Sequence, residues 1–244
     1  MKDIFESFIV DTLIAHRGLH NKDKGVPENS LLAFKKAIEK GYAIELDVQP
    51  LEDGTPVVFH DSKLARMTGQ DGYINNLKIE DLINYKLLGT DELITTLEDV
   101  LKFIDGRTPI LIEIKNYSRP GDFEKKILKL LKEYKGKTAI VSFNPYVLCW
   151  FKQKAPNIWR GQNASFFKWH KLSFIKKLII KRLMLTYIAS PNFISYDATN
   201  LPNKYTKKLS HLPLIAWTVK SEEEYLRVIK HCDNVIFEGF EPKN

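Results

Sequence analysis

Acidic residues stand inside two short apolar runs in the first half of the chain. Glu45 and Asp47 lie two residues apart in the run 44–48, and Glu113 lies in the run 110–114. Side chains two residues apart on a strand point to the same face, so both carboxylates of the first run face one way. Burying them together among Ile, Leu and Val is costly unless a cation lies between them. Three oxygen ligands without cysteine suit Mg²⁺ or Ca²⁺ better than Zn²⁺, so these three residues are predicted metal ligands.

Two histidines end neighbouring apolar runs and are the predicted acid and base. His16 follows Ile14-Ala15, and His60 follows a run that ends in Phe59. Imidazole gives or takes a proton near neutral pH, which suits both roles. A single strand histidine is more often structural, but two beside three carboxylates favour catalysis.

Several neighbours of these groups have two interpretations. Arg17 and Lys115 could bind an anionic substrate, or they could neutralise the acids in an ion-paired interior. The second interpretation is the weaker one, because barrel interiors usually carry Val, Ile and Leu. Asp61 could orient a neighbour or cap the following turn. Glu28 and Asn29 are expected to close the loop that leads into the next helix.

Composition limits the class of protein. The chain has 244 residues, enough for one large or two small domains, and 44% are hydrophobic, which is ample for a core. Cys149 and Cys232 have no metal-ligand spacing, and two buried thiols are favoured over a disulfide. The first residues are charged and lack the apolar centre of a signal peptide, so we expect an intracellular, cytoplasmic protein.

The chain alternates between apolar strands and amphipathic helices. The predicted strands are 13–16, 44–48, 110–114, 138–142, 158–162, 193–196, 214–218 and 235–237, and the predicted helices are 30–40, 97–104, 123–134, 145–154, 204–209 and 221–230. Such alternation predicts a parallel sheet, either as a (β/α)8 TIM barrel or as a doubly wound open sheet. A turn at Asp53-Gly54 predicts a hairpin that returns His60 towards the strand ends. Residues 62–96 then form a small insert after the second strand.

Five short motifs occur in an order that resembles the glycerophosphodiester phosphodiesterase family, a group of phosphatidylinositol phospholipase C-like phosphodiesterase barrels. They are His16-Arg17-Gly18, Pro27-Glu28-Asn29-Ser30, Glu45-Leu46-Asp47-Val48, His60-Asp61 and Glu113-Ile114-Lys115. Trp217-Thr218-Val219 is similar to a late strand of the same family. The resemblance runs from about residue 13 to 219 and implies a single barrel domain over residues 1–244.

The resemblance also implies a reaction and roles for the matched residues. The substrate would be a glycerophosphodiester, hydrolysed to glycerol 3-phosphate and an alcohol in lipid and glycerol metabolism. His16 and His60 would transfer protons, while Arg17 and Lys115 would stabilise the phosphoryl oxygens. One divalent cation, Mg²⁺ or Ca²⁺, would bind the three carboxylates. Trp217 would form a wall for the glycerol group, or else be a core aromatic.

Residues 164–188 form a basic apolar insert that interrupts the alternation. Large apolar residues mix there with Lys and Arg, and the charges are too frequent for a transmembrane span. One interpretation is peripheral membrane contact through residues 166–188, at the inner membrane face. A barrel-covering helix with a solvated basic face is the favoured alternative. No nucleic-acid motif is present.

Two other functions remain open at this point. A lysophospholipase D would use the same residues on a lysolipid at a membrane surface, which the basic apolar insert favours. A non-catalytic membrane-binding barrel is disfavoured, because the histidines and carboxylates are all retained.

Overall fold

The computed structural model describes residues 6–166 and 173–243. They fall into two compact units, which we treat separately. The amino-terminal unit comprises Ala15–Lys115 and Pro120–Thr138, and the carboxyl-terminal unit comprises Met1–Ile14, Asn116–Arg119 and Ala139–Asn244. The single-domain organisation over residues 1–244 stays a prediction.

The described strands and helices follow the predicted alternation. The strands are β1 (Ile14–Ala15), β2 (Ala43–Pro50), β3 (Pro56–Val58), β4 (Thr95–Thr96), β5 (Ile110–Ile114), β6 (Thr138–Ser142), β7 (Trp159–Ala164), β8 (Phe193–Asp197), β9 (Leu214–Val219) and β10 (Asn234–Phe237). The helices are α1 (Glu6–Asp11), α2 (Leu31–Glu39), α3 (Ala65–Thr68), α4 (Leu97–Ile104), α5 (Asp122–Glu133), α6 (Pro145–Lys154), α7 (Phe174–Lys181), α8 (Thr186–Ala189), α9 (Lys204–Lys207) and α10 (Glu222–Val228). Every strand and helix predicted from the sequence is found, with ends that agree within two residues.

In the amino-terminal unit, the pairing of β2 with β5 places the acidic residues side by side. The two strands are parallel, and Asp47 lies directly opposite Glu113. On its other edge β2 pairs with antiparallel β3 through the predicted hairpin, in which Gly54 adopts a φ of 79°. Glycine suits that left-handed conformation. The hairpin returns the chain so that the Phe59 amide donates to the Asp47 carbonyl, at 3.0 Å.

Side-chain caps fix where two helices of this unit begin. The Ser30 hydroxyl accepts a hydrogen bond from the Ala33 amide, and the Thr96 hydroxyl accepts one from the Asp99 amide, both at 3.1 Å. Each cap satisfies an amide that the helix itself leaves without a partner. Helix α2 therefore begins immediately after the loop that carries Glu28 and Asn29.

The insert at residues 62–96 has a hydrophobic core of its own. Leu64, Met67 and Ile74 are each at most 2% exposed, and they pack with Leu51 and Phe59 from the β2–β3 hairpin. Short helical turns at Ile74–Asn76 and Ile79–Asn84 complete the insert with α3. This packing holds the insert firmly against the hairpin that carries His60.

The carboxyl-terminal unit contains consecutive parallel strands. Strand β7 pairs with β6 and β8, and β9 pairs with β8 and β10. At the start of α10, the Ser221 hydroxyl accepts from the Glu224 amide, while the Glu224 carboxylate accepts from the Lys220 amide. Cys149 and Cys232 are free and half-buried, so the prediction of two unpaired thiols is confirmed, although neither is fully buried.

The basic apolar insert forms α7 and α8 within its described part. Its residues 167–172 lie outside the described residues. Across residues 6–166 and 173–243, no helix has both the length and the hydropathy that crossing a membrane requires.

Candidate active site

Three carboxylates meet where β2 pairs with β5. Glu45, Asp47 and Glu113 each offer an oxygen atom, and these atoms lie within 4.8 Å of one another. Glu45 and Asp47 are 3% and 1% exposed, and Glu113 is partly open to solvent. The sequence predicted this grouping of carboxylates, and the register of the two strands explains it.

Two cations lie against the cluster. Lys115 Nζ is 3.2 Å from both Asp47 Oδ1 and Glu113 Oε1. Arg17 Nε is 3.2 Å from Asp47 Oδ2, and the Arg17 amide donates to Glu45 Oε2 at 2.9 Å. Asp47 is thus the carboxylate most tightly enclosed by positive charge.

The pKa values of the two buried carboxyls shift in opposite directions. Burial, together with the charges of Asp47 and Glu113, raises the pKa of Glu45 well above its usual range. Burial also acts to raise the pKa of Asp47, but the charges of Lys115 and Arg17 outweigh it and lower that pKa. The ionised form of Glu45 is therefore the one that the cluster disfavours.

Asn29 holds Asp47 in place. Its Nδ2 donates to Asp47 Oδ2 at 3.0 Å, and its Oδ1 accepts from the Asp47 amide at 3.3 Å. Asn29 is 2% exposed and has a φ of 55°, a conformation that asparagine tolerates better than most residues. The sequence suggested loop closure for this residue, whereas the structure places it directly on a predicted metal ligand.

A chain of charged contacts joins His60 to the insert. His60 Nδ1 is 2.6 Å from Asp61 Oδ1, and the other Asp61 oxygen accepts from Arg66 Nε. Arg66 also donates to both Glu28 oxygens, at 2.8 and 2.7 Å, and Glu28 accepts from Arg17 at 2.6 Å. Of the two roles considered for Asp61, the geometry favours orientation of a neighbour. Its contact occupies Nδ1 of the ring and leaves proton transfer to Nε2.

Gln49 fixes the backbone of the loop that carries His60. Its Nε2 lies within hydrogen-bond distance of the carbonyls of Phe59, His60 and Asp61, at 2.9, 2.8 and 2.9 Å. Gln49 and Arg66 did not stand out in the sequence, because each acts on residues that are distant along the chain. Their side chains acquire a role only when the hairpin and the insert are folded.

Both predicted proton-transfer residues lie near the carboxylates. His16 Nε2 is 3.9 Å from Glu45 Oε2. His60 directly follows Phe59, whose amide donates to the Asp47 carbonyl at 3.0 Å, so the backbone at His60 lies beside β2. The amino-terminal unit thus brings together His16, His60, Arg17, Lys115 and the three carboxylates.

Trp217 belongs to the carboxyl-terminal unit. It lies on β9, and its ring meets that of Phe143 edge to face, with centroids 5.6 Å apart. Its predicted contact with a glycerol group stays a prediction.

The charge balance of the site fits a bound divalent cation. Within the amino-terminal unit, Glu28, Asp47, Asp61 and Glu113 form ion pairs with three permanent cations, Arg17, Arg66 and Lys115, and Glu45 adds a fifth carboxylate to the site. The donors of the three-carboxylate cluster are all oxygen atoms, which suits a hard cation. A cation held there would offset the burial and like-charge repulsion that raise the pKa of Glu45.

Solved structures establish the fold class. The chain matches a phosphodiesterase from Oleispira antarctica, solved with the product sn-glycerol-3-phosphate, with a TM-score of 0.77 and 24% identity over 96% of this chain and 94% of that one. It matches a glycerophosphodiester phosphodiesterase from Thermotoga maritima with a TM-score of 0.70 and 24% identity, over 93% and 94% of the two chains. The prediction of a (β/α)8 TIM barrel is confirmed, and the open doubly wound sheet is excluded.

Sequence relatives identify the family. The glycerophosphoryl diester phosphodiesterase family matches residues 16–237. A glycerophosphodiester phosphodiesterase of Caldanaerobacter subterraneus is 32% identical over 89% of both chains, and one of Bacillus subtilis is 28% identical over 88% of this chain and 79% of its own. The chain belongs to this family of phosphoric diester hydrolases, as the five motifs predicted.

Proposed function

We propose that the chain hydrolyses glycerophosphodiesters to glycerol 3-phosphate and an alcohol with the help of one divalent cation. The observation that carries the proposal is the cluster of Glu45, Asp47 and Glu113, whose oxygens lie within 4.8 Å of one another beside His16. The family supplies the reaction class, and the relatives named above supply the substrate class.

In the first step the substrate's own glycerol hydroxyl attacks phosphorus. One of the two histidines accepts the hydroxyl proton, and the other donates a proton to the alcohol oxygen as its bond to phosphorus breaks. The products of this step are the free alcohol and a cyclic glycerol phosphate. Asp61 holds His60 through Nδ1, so Nε2 is the ring atom that transfers the proton in this scheme.

In the second step water opens the cyclic phosphate with the histidine roles exchanged. The histidine that gained a proton now returns to its starting state as it protonates the departing glycerol oxygen, and the histidine that lost one takes a proton from water. Arg17 and Lys115 contribute positive charge near the phosphoryl oxygens, and their ion pairs with Asp47 fix where that charge lies.

Glu45, Asp47 and Glu113 would hold the cation, which we propose is Mg²⁺ or Ca²⁺. When bound, it would supply positive charge to the phosphoryl oxygens as negative charge develops on them. Both ions accept carboxylate oxygens, and Mg²⁺ demands the stricter octahedral geometry.

The test is glycerol 3-phosphate release from glycerophosphocholine, with Mg²⁺, Ca²⁺ or EDTA present. We expect release with at least one cation, and none in EDTA. His16→Ala and His60→Ala should each lower kcat by about 100-fold or more, because general acid–base catalysis contributes on that scale. His211→Ala, on an exposed histidine outside the site, is the matched control. Unchanged kcat in His16→Ala would contradict the proposed roles.

A second candidate substrate is a lysolipid, which would make the protein a lysophospholipase D in lipid metabolism. The specific observation in its favour is the exposure of Phe174 and Ile175, at 78% and 68%, in the basic apolar insert. Adding lysophosphatidylcholine to the same assay separates the two substrates. Binding to liposomes without turnover of either would instead favour the non-catalytic barrel. A cytoplasmic location with contact at the inner membrane face accompanies this candidate.

A further inference from the structure

Helix α7, the turn after it and α8 expose several large apolar side chains. Phe174, Ile175, Met184 and Tyr187 are 78%, 68%, 49% and 76% exposed. Five of the eight residues of α7 (Phe174–Lys181) are apolar, yet none of the eight is buried. Large apolar side chains that are exposed together in one short segment of a folded protein indicate a surface at which another molecule binds.

This surface is part of a folded and anchored segment. The Tyr196 hydroxyl of β8 donates to the Lys181 carbonyl at 2.6 Å, and Leu183 is buried at 5% exposure. Ser173 caps the start of α7 by accepting from the Lys176 amide at 3.4 Å. The Lys181 ammonium lies 4.0 Å from the centroid of the Phe166 ring. The segment is thus tied to the carboxyl-terminal unit while Phe174, Ile175, Met184 and Tyr187 are exposed.

The charged residues on either side of the exposed apolar residues in the sequence are all basic. Between Glu133 and Asp197 the sequence contains 11 Lys and Arg and no Asp or Glu. Lys176 and Arg182 are exposed within or beside α7, and Lys177 is half-buried. A partner that binds this surface must therefore have both an apolar region and negative charge.

We propose that Phe174, Ile175, Met184 and Tyr187, with Lys176 and Lys177, dock the protein on an anionic lipid bilayer. The apolar side chains would enter the boundary between headgroups and acyl chains, and the ammonium groups would bind the anionic headgroups. The proposal does not depend on which substrate the protein hydrolyses, because docking requires no turnover.

Two other occupants fit the surface less well. A two-fold dimer would place the same basic surface against itself, where like charges repel. Proteins bind single-stranded nucleic acid through cationic side chains and flat aromatic rings. Such a ligand has no apolar region in which Ile175 or Met184 could be buried. An anionic bilayer matches both the charge and the aliphatic side chains.

The test is cosedimentation of the full chain with vesicles. Equimolar phosphatidylglycerol and phosphatidylcholine form the anionic vesicles, and pure phosphatidylcholine forms the neutral ones. We expect binding to the anionic vesicles that weakens as salt is raised, with at least about tenfold weaker binding to the neutral ones.

Two double variants separate the apolar from the charged contribution. Phe174→Ser with Ile175→Ser, and Lys176→Glu with Lys177→Glu, should each weaken binding to the anionic vesicles by about tenfold or more. Lys207→Glu with Lys208→Glu, on exposed neighbouring lysines outside the surface, is the matched control and should bind as the wild type does.

Turnover of soluble glycerophosphocholine by each variant reports whether the fold is intact, and it keeps failure of docking distinct from failure of the proposed function. The proposal is overturned if the wild-type chain does not bind the anionic vesicles, or if both surface variants bind as tightly as the wild type. A concentration-dependent dimer that the Phe174→Ser, Ile175→Ser variant abolishes, without any vesicle binding by the wild type, would overturn it in favour of a second copy of the chain.

Discussion

Arg66 and Glu28 face each other through two parallel hydrogen bonds, although 38 residues separate them in the sequence. Glu28 also binds Arg17, and Arg66 also binds Asp61, which contacts His60. The insert therefore reaches two parts of the candidate site through one guanidinium. A planar fork of donors is needed for such paired contacts, and lysine cannot replace it.

The first prediction concerns Arg66 as a positioning residue. Arg66→Lys should lower kcat about tenfold with little change in KM, because His60 loses its fixed orientation while the substrate's direct contacts remain. The steady-state rates should be measured across pH, because a misplaced His60 should also alter the shape of the pH profile. Lys78→Ala, on an exposed lysine of the same insert, should leave both quantities unchanged. A kcat equal to that of the wild type would show that Arg66 does not position His60.

The second prediction concerns the pH dependence that Glu28 gives to stability. Burial acts to raise its pKa, but the hydrogen bond and charge of Arg66, with the charge of Arg17, lower it to about 2. A carboxyl whose pKa is lower in the folded state stabilises the fold above its unfolded pKa, and loses that contribution as pH falls. The relevant window runs from the ordinary value of 4.5 down to about 2.

Glu28→Gln isolates this contribution. The difference in free energy of unfolding between wild type and variant should be about 2 to 3 kcal/mol near neutral pH and should shrink as pH falls through the window. Urea denaturation at several pH values measures it. A difference that stays constant with pH would show that the charge of Glu28 is not what stabilises the fold.

The third prediction concerns the electrostatic cost of Glu45. Burial and the charges of Asp47 and Glu113 disfavour its ionised form, so Glu45→Gln should raise the melting temperature of the protein in EDTA. Adding Mg²⁺ or Ca²⁺ should stabilise the wild type, by about 2.7 kcal/mol at a concentration 100 times the Kd, and the variant much less. Thermal unfolding with and without each cation measures both effects. Equal stabilisation of the two proteins by the cation would exclude Glu45 as a ligand.

The fourth prediction concerns the hold of Asn29 on Asp47. Asn29→Ala should lower the free energy of unfolding by about 1 to 3 kcal/mol, because a buried pair of hydrogen bonds is lost. It should also weaken cation binding about tenfold or more, since Asp47 loses a partner that fixes it. Calorimetric titration with the cation and urea denaturation measure the two losses. Asn76→Ala, on an exposed asparagine, is the control; a loss of stability alone would limit Asn29 to a structural role.

Local sequence patterns predicted the strands and the shared face of Glu45 and Asp47 because both depend on short-range rules. Alternating side chains on a strand place Glu45 and Asp47 on one face, and the apolar run predicts where that strand lies. The pairing of Asp47 with Glu113 needed the barrel fold, which came from the resemblance of the five motifs. The alternation of strands and helices alone would have left the open sheet equally possible.

The contacts that support the site could not be predicted in this way. Arg66 lies on a four-residue helix with an exposed side chain, and nothing near it in sequence distinguishes it from a surface arginine. Its partners lie 38 and five residues away and face it only when the insert packs on the hairpin. Asn29 belongs to one of the five motifs, Pro27-Glu28-Asn29-Ser30. Its contact with Asp47, however, joins residues 18 positions apart and depends on the turn between β1 and α2.

The fifth prediction concerns the close approach of Gly18 to helix α2. Gly18 has a φ of 78°, and a Cβ atom there would lie 2.9 Å from both the carbonyl carbon and the Cβ of Ala33. Gly25 has a similar φ of 67° but open space around it. Comparing alanine at the two positions therefore separates backbone strain from steric overlap.

Gly25→Ala should cost about 1 kcal/mol of unfolding free energy, the penalty for a left-handed backbone conformation. Gly18→Ala should cost about 1 to 3 kcal/mol more, because the backbone of α2 cannot easily move away. It should also lower kcat, since any shift of Gly18 displaces Arg17 and its contacts with Glu45 and Asp47. Urea denaturation and turnover of glycerophosphocholine measure these effects. Equal losses of stability in the two variants would mean that α2 yields to the added methyl group, and Arg17 would then keep its position.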